Sequence, residues 1–300
     1  MNVRDDLLIL FNYSLLYYMS NIIPIFYKIM KYPVPIEKEQ YVYISESKYW
    51  KKYPHNWTKF SRQEPNERLK DYIEYINKRW RLYRSLPFVK QIYLCNSISF
   101  NALHDTSDID IYIIAQHRYV WLARFFSVFM FRITKNKRSK DEKTKRFCLS
   151  FYTDEYNSNL YHLRHSMGDI YLPYWLAHAV LLYTDTTLPD DFLRENNKEL
   201  LSYLPSHPHH QTISIWSEVY RWDNRYKRCT MKLIDNIFGR SLQYVIKRIW
   251  KIYINYKKNK LSRHIQEEII VSDSMLKFHD DKRSLYQYRK NKYHKEISEW

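Results

Sequence analysis

The sequence predicts an α+β protein, with a strand-forming middle between N-terminal and C-terminal regions that are mainly helical. Near both ends, apolar side chains recur at steps of three and four residues, which is the helical period. In the middle, short runs rich in Ile, Val and aromatic residues are bounded by polar turns, which is typical of strands. The chain is 45% hydrophobic and 18% aromatic, which is the composition of a folded protein.

Proline positions and charge divide the 300 residues into three predicted regions. Residues 1–86 form a helical module, in which Pro24 separates two helices and a third spans residues 65–85. This module is either of winged-helix type, which often binds nucleic acid, or a plain docking domain. Residues 87–200 form the central core, and residues 201–300 form a basic helical region.

The net charge of +17 lies entirely in the two flanks. Residues 1–90 carry 16 basic and 9 acidic residues, residues 91–210 carry 13 of each, and residues 211–300 carry 20 and 10. Basic flanks around a neutral middle favour a polyanionic partner such as RNA or DNA. The alternative is a generally basic surface without a specific partner.

The cysteines and apolar runs indicate a cytoplasmic protein. Three cysteines are an odd number at no metal-binding spacing, and Cys95 and Cys148 fall in predicted strands as buried small side chains. Residues 7–30 are fairly apolar but are interrupted by Tyr, Asn and Lys. We therefore expect neither a secretory signal nor a transmembrane segment.

Two acidic residues stand in an otherwise apolar strand. Asp108 and Asp110 are one residue apart in the run 107–114, so both side chains point to the same face of the sheet. Two neighbouring carboxylates raise each other's pKa unless a cation lies between them. Their hard oxygen ligands suit Mg²⁺ or Mn²⁺, so we predict that the pair binds one of these ions. The alternative is that the two acids cap a loop or pair with an arginine.

The residues upstream predict a phosphate site. Residues 91–95 form a predicted strand that ends in Asn96-Ser97, followed by a short helix and a polar turn at 105–107. A small hydroxyl residue at a strand-to-helix turn offers backbone N–H groups and its Oγ to a phosphate. Asn96 suits this turn because asparagine tolerates a left-handed backbone.

This arrangement resembles the nucleotidyltransferase fold of the DNA polymerase β superfamily. The signature of that superfamily is Gly-Ser, about ten residues, and then Asp-hydrophobic-Asp, and Asn96 stands here at the Gly position. Further segments are similar to a group of uncharacterised bacterial nucleotidyltransferase-domain proteins, most strongly within residues 86–185. These segments are 28–35, 121–126, 148–152 and 275–279.

The resemblance implies a mixed β-sheet with flanking helices and a metal-dependent reaction. Asp108 and Asp110 would be the catalytic metal ligands, and Asn96 and Ser97 would bind the phosphates of a nucleoside triphosphate (NTP). The nucleotidyl group would pass to a hydroxyl acceptor, with RNA or DNA as a candidate. A third carboxylate usually projects from the next strand, whose matching position here is Ser150. Asp154 and Glu155 lie just beyond and could substitute if the strand runs longer or shifts.

Asn96 and Ser150 also support an alternative hypothesis. A protein without the third acid can be catalytically weak or inactive and still bind a nucleotide, nucleic acid or a partner protein. Binding without pyrophosphate release would distinguish this alternative from a nucleotidyltransferase.

Other elements follow from periodicity and composition. We predict helices over 118–134 and 169–183, a basic loop over 135–146, and a strand over 147–152. Between Asp235 and Glu267 the chain carries eight basic residues and no acidic one, beside an apolar stripe. Such a basic amphipathic helix can dock on nucleic acid or on an anionic membrane, or pack on the core with its charged face in water.

Overall fold

The computed structural model describes the central part of the chain and segments of the C-terminal region. The described residues are 67–99, 102–139, 141–164, 171–185, 196, 220–221, 225–237, 239–261, 266 and 268–278. The two helices predicted around Pro24 and the winged-helix alternative lie outside the described residues.

Helices and strands alternate along the described chain. The helices are α1 (Glu67–Asn77), α2 (Trp80–Ser85), α3 (Val120–Ile133), α4 (Tyr171–His178), α5 (Arg225–Ile237) and α6 (Gly239–Lys258). The strands are β1 (Val89–Cys95), β2 (Ile109–Ala115), β3 (Phe147–Asp154), β4 (Val180–Thr184), β5 (Tyr220–Arg221), β6 (Ile270–Val271) and β7 (Met275–Lys277).

The strands form one mixed sheet in the order β5-β4-β1-β2-β3-β7-β6. The pairs β2–β3 and β4–β5 are parallel, and the other neighbours are antiparallel. The predicted α+β class with a mixed sheet is thus confirmed. Three of the strands come from residues 201–300, so the C-terminal region contributes to the same sheet as the centre.

The two faces of the sheet differ in their neighbours. Ile109, Ile111 and Ile113 alternate along β2 and belong to one hydrophobic core with buried residues of α1, α2 and α3. The opposite face carries aromatic residues. The centre of the Tyr112 ring on this face lies 4.8 Å from the ring centre of Phe151 and 5.8 Å from that of Trp175 of α4. Asp110 shares this second face with Tyr112, because side chains two residues apart project to the same side.

Most predicted elements of the centre are confirmed, and two are wrong. The helix predicted over 169–183 ends at His178, and Val180–Thr184 instead form β4, which pairs antiparallel with β1. Pairing with a buried neighbour outweighs the helical spacing of this apolar run. The short helix predicted after Ser97 is a turn at 97–99, and residues 102–104 have irregular backbone.

Within the described residues, no helix combines the length and the apolar character needed to cross a membrane. All three cysteines are free, with Cys95 and Cys148 buried, as predicted, and Cys229 exposed.

Candidate functional site

The turn after β1 begins with a left-handed residue. Asn96 has a φ of 58°, a conformation that asparagine adopts more readily than most residues. The Ser99 hydroxyl donates to the Asn96 carbonyl (2.9 Å), and the Ala102 N–H donates to the Ser97 carbonyl (2.7 Å). Asn96 and Ser97 are both buried. The sequence-based expectation of a tight Asn-Ser turn therefore agrees with the structure.

The start of β2 is fixed by the residues around Ser107. The Tyr72 hydroxyl of α1 donates to the Ser107 carbonyl (2.7 Å), and the His104 N–H donates to the Ser107 hydroxyl (2.7 Å). The Ile109 N–H donates to the Arg146 carbonyl (2.8 Å). These bonds hold Asp108 at the entrance of the strand, next to the loop that precedes β3.

The two acids project to the same side, as the spacing predicts. Ligand atoms of Asp108, Asp110 and Cys148 all lie within 4.8 Å of one another. Asp110 lies opposite Cys95 of β1 and opposite Cys148 of β3 in the strand register. The cluster therefore sits where three adjacent strands meet.

Asp110 contacts the turn after β1 directly. Nδ2 of Asn96 donates to Oδ2 of Asp110 (2.9 Å), and the Tyr171 hydroxyl donates to Oδ1 of Asn96 (3.2 Å). The Asn96 side chain thus joins the start of α4 to the acid pair. Sequence reasoning assigned Asn96 a backbone role at the phosphate and missed this side-chain bridge.

Asp108 is paired with an arginine from the basic loop. Nη1 of Arg138 lies 2.5 Å from Oδ2 of Asp108. Burial raises the pKa of Asp108, the neighbouring Asp110 raises it further, and Arg138 partly offsets both effects. Burial acts to lower the pKa of Arg138, but the charge and hydrogen bond of Asp108, together with the nearby Cys148 and Asp110, outweigh it, so the pKa of Arg138 is raised. For Asp108, the arginine-pairing alternative drawn from the sequence is therefore realised.

The loop position of Arg138 is set by its neighbours. The Arg138 N–H donates to the Phe147 carbonyl (3.0 Å), and the Phe147 N–H donates to the Asn136 carbonyl (2.8 Å). The Asn136 side chain accepts from the hydroxyl of Tyr75 on α1 (2.9 Å) and from Nε of Arg79, which directly precedes α2 (2.5 Å). The side chain of Arg138 remains 40% exposed, so it can leave Asp108 without opening the core.

Cys148 occupies the place beside the acid pair on β3. Its Sγ lies 3.8 Å from Nη1 of Arg138 and 3.3 Å from Oγ of Ser150. Burial, and next the charge of Asp110, raise the pKa of the Cys148 thiol, which is therefore protonated at neutral pH. Ser150, the predicted third-strand position, follows Cys148 by two residues on β3, and its side chain contacts that of Cys148. The sequence could have revealed that Cys148 lies beside Asp110. With β3 beginning at Phe147, Cys148 is the second residue of its strand, as Asp110 is of β2.

Asp154 lies far from this cluster. It pairs with Ala115 at the opposite end of β2, about 20 Å along β3 from Cys148 at ~3.3 Å per residue. Its carboxylate accepts from the Tyr156 N–H (3.1 Å) and from Nδ2 of Asn157 (2.7 Å), and it contacts Nδ1 of His117 (3.1 Å). Asp154 therefore caps the loop after β3, and the suggestion that it substitutes as a third acid is corrected.

The donor set partly fits the predicted Mg²⁺ or Mn²⁺. Such an ion is commonly held by one or two carboxylates together with substrate phosphates, which Asp108 and Asp110 can satisfy. A protonated thiol is a poor ligand for a hard cation, so Cys148 does not complete the set. Asp108 would also have to release Arg138 before its carboxylate could bind the ion.

The fold and this cluster define an α+β protein with paired acids at the start of a central strand, one of which contacts the left-handed residue of the neighbouring turn. No family model, no curated protein and no solved structure matches the chain.

Proposed function

We propose that this chain is a metal-dependent nucleotidyltransferase, which moves a nucleotidyl group from an NTP to a hydroxyl acceptor. One observation carries the proposal: Asp108 and Asp110 lie side by side, and Asp110 accepts a hydrogen bond from the side chain of Asn96, the first residue of the Asn96-Ser97 turn. A metal held between two acids beside backbone N–H groups is suited to bind a polyphosphate.

Each residue has a role in this proposal. Asp108 and Asp110 hold Mg²⁺ or Mn²⁺, while Asn96 and Ser97 bind the phosphates. An ion held by these two acids would neutralise phosphate charge and could lower the pKa of the acceptor hydroxyl. With an ion on Asp108, Arg138 would be released from this carboxylate, and its guanidinium could then pair with a phosphate oxygen. The ion pair between Arg138 and Asp108 would then be replaced by contacts between Arg138 and the phosphate.

The acceptor is proposed from charge. The flanks of the chain carry the whole excess of basic residues, so RNA or DNA is a suitable hydroxyl-bearing acceptor. A reducing cytoplasm, where NTPs and nucleic acids occur together, is the proposed location. The free state of all three cysteines supports this compartment.

A second candidate is a protein that binds the metal-loaded nucleotide without transferring it. The observation that favours it is the identity of the residues on β3 beside the acid pair. Cys148, a buried protonated thiol, and Ser150, a neutral hydroxyl, provide no third negative charge. Without it, the acceptor hydroxyl lacks a nearby base and transfer would be slow or absent.

The two candidates are separated by measuring binding and turnover on the same sample. The protein is incubated with each labelled NTP, with Mg²⁺ or Mn²⁺, and with total RNA or protein, while pyrophosphate release is recorded. Calorimetry reports binding. Release of pyrophosphate supports the transferase, whereas saturable metal-dependent binding without release supports the second candidate.

Site variants tie either result to the cluster. Asp108→Asn and Asp110→Asn should each abolish metal-dependent transfer or binding while the fold survives. The matched control is Asp273→Asn, which removes an exposed carboxylate paired with Lys247. Unchanged activity in both site variants, or equal loss in the control, would remove this cluster from the mechanism.

A further inference from the structure

The outward side of α6 exposes an apolar stripe. Five large side chains on one side of this helix are each 47–65% exposed, which is unusual for aliphatic and aromatic residues at steps of three and four. They are Val245, Ile249, Ile252, Tyr253 and Tyr256. Large exposed apolar patches mark interaction sites for proteins or membranes.

Basic side chains surround this stripe. Arg248, Lys251, Lys257 and Lys260 are exposed, and α6 contains no acidic residue. Nζ of Lys260 lies 2.6 Å from the Tyr256 hydroxyl, and Nζ of Lys257 lies 5.1 Å from the centre of the Tyr253 ring. An acid does reach α6 at another position, where Lys247 pairs with Asp273 (2.6 Å). We call the stripe and its basic neighbours the α6 surface.

A basic cavity of about 730 Å³ adjoins the α6 surface, between α3 and α6. Ile249, Tyr253 and Lys257 belong to both. Within the described residues its lining contains five cations and no acid: Arg124, Arg132, Lys137, Lys257 and Lys258. Such a lining is complementary to an anion with an apolar body.

Arg124 shows that the cavity contains an incompletely satisfied cation. Its Nη1 donates to the Leu149 carbonyl (2.8 Å), but its buried Nε makes no hydrogen bond to any described residue. Its guanidinium lies 4.0 Å from the centre of the Phe278 ring. Burial lowers the pKa of Arg124. A buried donor without a partner is costly, and the guanidinium that carries this N–H belongs to the cavity lining.

We propose that the α6 surface docks on an anionic phospholipid membrane, with α6 in the plane of the interface and a lipid phosphate in the adjoining cavity. Aliphatic side chains such as Ile249 and Ile252 gain little from a nucleic-acid backbone, whereas a bilayer offers both negative charge and an apolar interior. The charges along α6 keep it on the surface rather than across the bilayer.

Vesicle sedimentation with the full chain tests this proposal. Vesicles of phosphatidylcholine alone are compared with vesicles containing about one third phosphatidylglycerol, at constant ionic strength. Strong binding to the anionic vesicles and little binding to the neutral ones is expected, because each basic residue near the surface contributes about fivefold in partitioning. Equal binding to both compositions, or to neither, would overturn the proposal.

Variants locate the contact. Arg248→Gln/Lys257→Gln should weaken binding at least about fivefold, and Ile249→Ser/Ile252→Ser should weaken it through the lost apolar contact. Lys70→Gln/Lys78→Gln removes the same number of charges from exposed positions on α1 and directly after it, and should have little effect. If the α1 control loses as much binding as the α6 variants, the attraction is general and the α6 surface is not the site.

Two more comparisons address the cavity and the rival partner. Arg132→Gln/Lys137→Gln should reduce the preference for phosphatidylglycerol, and an unchanged preference would overturn the headgroup assignment. Single-stranded RNA is titrated in parallel. Tight RNA binding that survives Ile249→Ser/Ile252→Ser, in a protein that ignores vesicles, would replace the membrane with nucleic acid.

Discussion

The side-chain amide of Asn96 donates a hydrogen bond to Asp110 (2.9 Å), and the backbone of Asn96 is left-handed, with a φ of 58°. One residue therefore shapes the turn after β1 and binds one acid of the pair. The other acid, Asp108, is bound by Arg138 from a different loop. Each carboxylate of the pair thus has its own protein partner, and these partners decide how the site responds to substitution, pH and metal.

The two contributions of Asn96 can be separated by substitution. Asn96→Gly keeps the left-handed backbone and loses only the side-chain hydrogen bonds, at about 1 kcal/mol each. Asn96→Ala loses the same bonds but keeps a Cβ in a left-handed residue, without the short polar side chain that makes this conformation accessible to asparagine, which costs roughly 1–2 kcal/mol relative to Asn96→Gly. Urea denaturation should therefore rank wild type, Gly and Ala in decreasing stability. Equal stability of the two variants would contradict this account of the turn.

Removing Arg138 should strengthen metal binding. Arg138→Gln leaves two carboxylates without a competing cation, so Mg²⁺ or Mn²⁺ affinity is expected to rise. Without metal, stability should fall by about 1 kcal/mol or less, because the pair is partly exposed. Calorimetric metal titration and thermal denaturation measure both effects, with Arg138→Lys as the charge-conserving control. Weaker metal binding in Arg138→Gln would show that the arginine supports the ion rather than competing with it.

The raised pKa of Asp108 predicts a specific pH dependence. Its folded-state pKa lies above its unfolded value, so the native state binds more protons between these two values. The contribution of Asp108 to stability is therefore complete below the unfolded pKa and is lost as the pH rises through the folded one. Denaturation of wild type and Asp108→Asn across acidic pH should show the variant gaining relative stability with increasing pH. A constant difference would contradict the shift.

A third carboxylate introduced on β3 should act at Cys148 more than at Ser150. Cys148→Asp puts an oxygen ligand within the cluster, whereas Ser150→Asp puts it two residues further along the strand. Without metal, Cys148→Asp should be the less stable variant because three like charges then converge. With Mg²⁺ or Mn²⁺ it should bind about tenfold tighter than wild type, since affinity rises with ligand charge count. Calorimetry decides between the positions, and tighter binding in Ser150→Asp would restore the sequence-based assignment.

The local sequence pattern was enough to predict much of the site. The strands ending at Cys95 and beginning at Ile109 and Phe147 follow from short apolar runs between polar turns. The same-face arrangement of Asp108 and Asp110 follows from their spacing, and the left-handed Asn96 follows from its residue type. Residues 180–184 show the limit, because an apolar run with helical spacing became strand β4 through pairing with β1.

By itself, then, the sequence determined the α+β class, the central strands, the common face of the acid pair and the conformation of the Asn96 turn. Each of these depends on interactions between residues close together in the chain. Only the tertiary structure decided that Cys148 lies beside Asp110, that Arg138 neutralises Asp108, and that Asp154 lies at the far end of β3. These relations depend on strand register and loop path, and a shift of one residue in register would have put different side chains in the cluster.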